Sequence, residues 1–203
     1  MIDNEQKILE AARKVFIQKG FDGARMQEIA DEAGINKSLL HYYYRSKDKL
    51  FEVVFIDAFK GLFPIIEKVF TKEGTLFERI EQFVKAYISI IQNNPYIPMF
   101  VLHELNKNAD KLPLLFNAIT KAKENNLLGK LSMLIEIEVQ KGTIRPIKAE
   151  QLFANIVSLS IFPFVSKPIL KGILFDNNED TYNQFIENRK TEVAEFIINS
   201  IKK

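Results

Sequence analysis

The chain has 203 residues, with 28 Lys and Arg against 26 Asp and Glu, and no cysteine. A net charge of +2 gives no whole-chain case for a polyanionic partner, so any such case has to be local. Without cysteine there is no disulfide, thiol nucleophile, iron–sulfur cluster or thiolate-bound zinc. The two histidines, His41 and His103, are far apart in sequence and give a metal or acid–base centre little to build on. The 47% hydrophobic share, with 17 Phe, is enough for a real core. The most apolar stretch, 152–165, is interrupted by Asn155, Ser158, Ser160 and Pro163. It is shorter than the ~18 apolar residues a membrane-spanning helix needs. The first residues show no basic region followed by an apolar one. A soluble, cytoplasmic protein with no membrane partner is expected.

Glycine and proline fall at boundaries, and between them apolar residues recur at helical spacing. Ile8, Leu9, Ala12, Val15 and Phe16 form one face of a first helix. Asp3 and Gln6 resemble a capping box at its start, and Gly20 is a natural stop. A second, short helix is predicted over 26–33, with Ile29 and Ala30 inward. Gly34 breaks it, and Asn36 can cap a third helix over 37–44. Ser46 can cap a fourth, whose apolar run continues to Phe63 before Pro64. Further helices are predicted over 76–92, 96–106, 112–141 and 149–166, with 143–146 as a connector. The segment 167–180, with Pro168, Gly172 and Asp176-Asn177-Asn178, reads as a loop. Tyr182, Phe185, Ile186, Val193, Phe196, Ile197 and Ile201 mark a last helix. The fold class is all-α, with roughly nine helices.

The informative stretch is 20–51. Two short helices separated by Gly34 read as a helix-turn-helix, and small Ala30 lets them approach closely. Ile29, Ile35, Leu40 and Tyr44 are spaced to fill the core beneath. That leaves Lys37, Ser38, His41 and Tyr42, with Tyr43 alongside, free to meet base edges and phosphates. Residues 36–50 carry Lys37, Arg45, Lys47 and Lys49 against Asp48, a local charge of +3. Residues 21–35 carry Arg25 against Asp22, Glu28, Asp31 and Glu32, a local charge of −3. The near-zero total hides a polarised distribution.

The residues 20–30, then Ala33-Gly34-Ile35-Asn36-Lys37, then the run from Tyr42 to Phe51, resemble the DNA-binding domain of the TetR (tetracycline-repressor type) family over about residues 5–55. The segment Gly142-Thr143-Ile144-Arg145-Pro146 is similar to the connector before that family's penultimate helix. The resemblance implies an N-terminal helix-turn-helix domain (1–47) and a helical ligand-binding and dimerisation domain (48–203). It implies a ligand-responsive transcriptional regulator, a repressor that binds a palindromic double-stranded operator as a homodimer through its last two helices. Carried over by position, Lys37, Ser38, His41 and Tyr43 would probe the major groove. Tyr42 and Lys47 would hold phosphates, with Arg25 a further phosphate candidate. Arg25 stands where the family often has a capping threonine or serine, His41 where it has tyrosine, and Leu39 where it has a small polar residue.

The family's pocket lies among the middle helices. By that resemblance Phe59, Phe63, Phe83, Tyr87, Phe100, His103, Phe116 and Phe162 are candidates to contact a small hydrophobic or amphipathic effector. No cofactor, metal site or catalytic residue is expected. Two other functions compete. An all-α enzyme near His103 lacks a nucleophile–base set and a phosphate loop, and His103-Glu104 lacks the second histidine of a zinc-protease helix. A helical small-molecule-binding protein without DNA binding leaves Lys37, Tyr42 and Lys47 unexplained.

Overall fold

The computed structural model describes residues 4–59, 74–95, 97–99, 101–102 and 127–203, without the side chains of 58, 59 and 127. Among these residues nine helices are delimited, residues 97–99 and 101–102 are helical as well, and there is no strand. They divide into two compact units. The first holds 4–59 with 99, 101 and 102; the second holds 74–95, 97, 98 and 127–203.

In the first unit α1 (Asn4–Gly23) packs on α2 (Met26–Glu32) and α4 (Lys47–Phe59), and α2 packs on α3 (Lys37–Tyr43). The expected face of α1 is buried: Ile8, Ala12, Val15 and Phe16 lie inside with Ala11, and Leu9 is partly buried. Gly20 does break the helix, at φ 69 and ψ 176, and one more turn follows it to Gly23. Leu50, Phe51, Val54 and Phe55 of α4 complete the core. Phe16, Phe21 and Phe51 meet with ring centroids 5.0–6.3 Å apart. An Arg13–Asp57 ion pair ties α1 to α4. Asn36 and Ser46 cap as expected, accepting from the N–H groups of Leu39 at 2.8 Å and Lys49 at 3.2 Å. Asp3, Phe63, Pro64 and most of the predicted helix over 96–106 lie outside the described residues.

The second unit contains α5 (Leu76–Asn93), α6 (Leu127–Gln140), α7 (Ala149–Val165), α8 (Lys167–Leu174) and α9 (Glu179–Ile201). Its core joins Ile80, Val84 and Ile88 of α5 to Leu152 of α7 and Ile186 and Ile197 of α9. Thr75 and Glu78 form a full capping box at the start of α5. At the end of α6, Gly142 at φ 74 closes the helix as Gly142 and Thr143 donate back to Val139 and Glu138. The connector that follows buries Ile144 and runs antiparallel to the C-terminal tail, with Arg145 N–H donating to Ile201 at 2.8 Å.

One expectation is corrected. The segment read as a loop begins with a helix, α8, and only 175–178 connect it to α9. Pro168 sits in the first turn, where its missing N–H is not needed. The turn itself is made by Asp176 and Asn177 at φ 49 and 61, and Asn178 then caps α9.

The end of α7 shows how α9 is fixed to it. Pro163 lies inside α7 and cannot donate to the Leu159 carbonyl one turn earlier. Arg189 of α9 fills that vacancy, its Nη2 donating to Leu159 O at 2.7 Å. Two helical turns earlier on α9, the Tyr182 hydroxyl donates to Pro163 O at 2.8 Å. Beyond this point the chain bends by 73° into α8. That bend separates two apolar helices, and no single described helix is long and apolar enough to cross a membrane. Glu179, at the start of α9, accepts from Lys167 at 2.5 Å and Lys171 at 2.8 Å of α8.

Two outcomes follow. Arg189→Met is expected to destabilise the fold by about 1 kcal/mol in urea denaturation, because it orphans a part-buried carbonyl. Pro163→Ala with Arg189→Met is expected to lose less, since residue 163 then supplies its own N–H; strictly additive losses would refute the pairing. The second outcome concerns acid. Lys167 first, then Lys171, holds the Glu179 carboxyl down from 4.5 to about 2. A depressed carboxylate stabilises above its unfolded value and loses that stabilisation as pH falls through its folded one. The α8–α9 junction should therefore weaken between pH 4.5 and about 2, and amide exchange in α8 should lose this acid sensitivity in Glu179→Gln.

Candidate nucleic-acid interface

The turn between α2 and α3 is built by the backbone. Gly34, at φ 68, follows the end of α2. Its N–H donates to Asp31 O at 3.1 Å, and Ile35 N–H reaches back to Ala30 O at 3.0 Å. These two bonds satisfy carbonyls at the end of α2 and set the exit direction of the chain. Ala30 and Ile29 are fully buried at this junction, as their spacing implied.

α3 is held from one side. Leu40 is fully buried and Tyr44 is 7% exposed, its hydroxyl donating to Glu5 Oε1 at 3.2 Å. With Leu40 and Tyr44 committed to the core, the rest of the helix faces out. Lys37, Ser38 and His41 are exposed, and Tyr42 is 81% exposed. Tyr43, at the margin, packs edge-on against Tyr42 with centroids 5.7 Å apart. These five of the seven candidates share α3 and form a continuous outward surface. Arg25 is also exposed; it is the N-cap residue of α2, with extended backbone and no side-chain cap bond. A long side chain there leaves the first N–H groups of α2 to other acceptors.

Charge is sorted by pairing as well as by position. Glu28 of α2 pairs with Lys19 of α1 at 2.9 Å, and Glu32 with Lys14 at 2.5 Å. Lys19 keeps the Glu28 carboxyl below the ordinary carboxylate range. Two of the three acids of α2 are thus answered by α1 and Asp31 accepts from Gln27 of its own helix at 2.8 Å, while among the described residues no ion pair engages Lys37 or Arg45. Lys49 spends its charge on Glu52 at 3.1 Å. The outward face of α3 and its flank are left net positive, which suits a phosphate backbone.

Lys47, the seventh candidate, is placed differently. Its ammonium donates to the carbonyls of Phe21 at 2.8 Å, Ala24 at 3.1 Å and Asp22 at 3.4 Å. It also lies 4.5 Å from the centre of the Phe21 ring. Sequence reasoning missed these partners. The signal was there: the end of α1 has no basic residue in its last turn to meet its open carbonyls.

A profile of the bacterial regulatory proteins of the tetR family matches residues 8–54. The RutR transcriptional regulator of Escherichia coli K12 is 27% identical over 95% of this chain and 90% of its own length. Over residues 8–54 the chain carries the DNA-binding domain of the TetR family. It is a DNA-binding transcriptional regulator. The negative regulator IcaR of the Staphylococcus aureus biofilm operon icaADBC is 31% identical over 48% of this chain and 52% of its own length. The ketosteroid regulator KstR2 of Mycobacterium tuberculosis superposes with a TM-score of 0.74 at 16% identity, over 100% of this chain and 97% of that one. FadR of Bacillus subtilis, in complex with stearoyl-CoA, superposes at 0.67 and 16% identity, over 96% and 97%. At these identities the superpositions establish the shared fold.

The effector candidates are distributed unevenly. Phe83 and Tyr87 lie one turn apart on α5 and stack with centroids 5.6 Å apart. Burial pushes the Tyr87 phenol up to about 12. Phe162, on α7, is 59% exposed. Phe63, Phe100, His103 and Phe116, and the side chain of Phe59, lie outside the described residues.

The turn itself can be tested. Nothing lies within 4 Å of a Cβ built on Gly34, so only its positive φ resists substitution. Gly34→Ala is expected to destabilise the domain by about 1–2 kcal/mol in thermal melts, and Gly34→Asn by less. Equal losses for the two would contradict the left-handed requirement.

Proposed function

We propose that the chain is a ligand-responsive repressor that binds a palindromic operator as a homodimer and leaves it when a small hydrophobic or amphipathic effector binds. The observation that carries the DNA side is the outward face of α3, where Lys37, Ser38, His41 and Tyr42 are all exposed beside a positive flank. In this reading Lys37, Ser38, His41 and Tyr43 reach base edges, while Tyr42 and Arg25 hold phosphates. Two copies of α3, about 34 Å apart, would read successive major grooves.

The dimer reading rests on exposed aromatic side chains. Phe153 and Phe162 of α7 and Phe196 of α9 are 46%, 59% and 65% exposed, on helices whose other faces fill the core. A second copy of the same helices would cover them. The head would be the part over 1–47 and the effector and dimer part 48–203, working in the cytoplasm. The stacked Phe83–Tyr87 pair supports an apolar effector with a polar end for the phenol. Release follows if the effector prefers a conformer whose two heads do not match one turn of DNA.

Binding to duplexes from the gene's own upstream region, titrated with salt, tests this. Lys37→Ala is expected to lose about 1–3 kcal/mol of preference for the operator over unrelated DNA. Arg25→Ala is expected to weaken binding to every duplex and to reduce the slope of log K against log salt by about 0.9. A folded protein whose binding to all duplexes is salt-insensitive would overturn the reading.

A further inference from the structure

The position of Lys47 gives it a task other than touching DNA. The end of α1 is interrupted at Gly20, and one more turn runs to Gly23 with no basic residue of its own beside the last carbonyls. The segment 21–24 then leads directly into Arg25, the N-cap of α2. Lys47 reaches back from the first residue of α4, 23–26 residues further along the chain, and meets three of those carbonyls. An ammonium has three N–H donors, and three carbonyl oxygens lie within 3.4 Å of this one. The Phe21 ring covers it from a fourth direction. A cation at a helix C-terminus also opposes the partial negative charge there.

We propose that Lys47 is a positioning residue. It clamps the 21–24 segment to the start of α4, and so holds Arg25 where it meets the phosphate backbone. Its donors are committed inside the protein, so its contribution to DNA affinity passes through Arg25. The proposal rests on the regulator reading for its DNA consequence and on the carbonyl geometry alone for the clamp.

Two measurements on the full chain separate the parts. The first is hydrogen–deuterium exchange without DNA. In Lys47→Met the amides of 21–28 are expected to exchange faster while those of α3 keep their protection. Unchanged exchange at 21–28 would overturn the clamp whatever happens with DNA. The second is a double-mutant cycle with Arg25→Ala, read as affinity and salt slope on upstream duplexes well below the melting midpoint. Lys47→Met alone is expected to weaken binding about tenfold, the equivalent of one ordinary hydrogen bond. In the Arg25→Ala background it is expected to cost little more and to leave the slope where Arg25→Ala put it. A further slope decrease of about 0.9 in that background would make Lys47 a phosphate ligand and overturn the proposal. Lys47→Arg guards against misfolding of the first variant. Its planar guanidinium keeps the charge but cannot serve three carbonyls around one atom, so weaker binding is expected; binding at full strength would overturn the clamp. If the unsubstituted chain binds no duplex, the regulator reading fails and the exchange result still decides the clamp.

Discussion

The outward surface of α3 depends on one constraint, the burial of Leu40 and Tyr44. α3 has seven residues and cannot hold itself in place as an isolated helix. Leu40 enters the core completely, and Tyr44 follows it with its hydroxyl tied to Glu5 of α1. Those two anchors fix the rotation of the helix about its axis. Every polar group on the opposite side is then presented outward without needing a contact of its own. The same core fixes α2 through Ile29 and Ala30, so the angle between the two helices is set twice, by packing and by the bonds around Gly34.

The second unit solves a different problem. α7 is strongly apolar and contains a proline, which opens a part-buried carbonyl at Leu159. The answer comes from α9 rather than from α7 itself. Arg189 and Tyr182, two helical turns apart, reach the two carbonyls that the helix cannot satisfy near its end. The polar contacts lock one face of each helix, and the apolar cluster with α5 buries another. What is left over, at Phe153, Phe162 and Phe196, is the face proposed to meet a second copy.

Much of this was legible in the sequence because it is local. The caps at Asn36 and Ser46, the stop at Gly20 and the turn at Gly34 each need one residue type at one place, and those residues are present. The exposed set on α3 follows from helical spacing once Leu40 and Tyr44 are taken as core. The failures are of two kinds. α8 was read as a loop because Pro168, Gly172 and the Asp-Asn-Asn run are breakers in isolation. Position decides instead: proline is harmless in a first turn, and only Asp176 and Asn177 take left-handed backbone. The partners of Lys47, Arg189 and Tyr182 were invisible because they are long-range, set by which helices pack together. No spacing rule connects Lys47 to Phe21 or Arg189 to Leu159.

The central claim is that α3 enters the major groove with its Leu40 side toward the protein. Dimethyl sulfate footprinting of the complex on an upstream operator reports on this directly, because it probes guanine N7 in the major groove. The account expects protection in two short major-groove segments centred about one helical turn, ~34 Å, apart. Protection of adenine N3 in the minor groove alone, or an even pattern along the whole duplex, would contradict it.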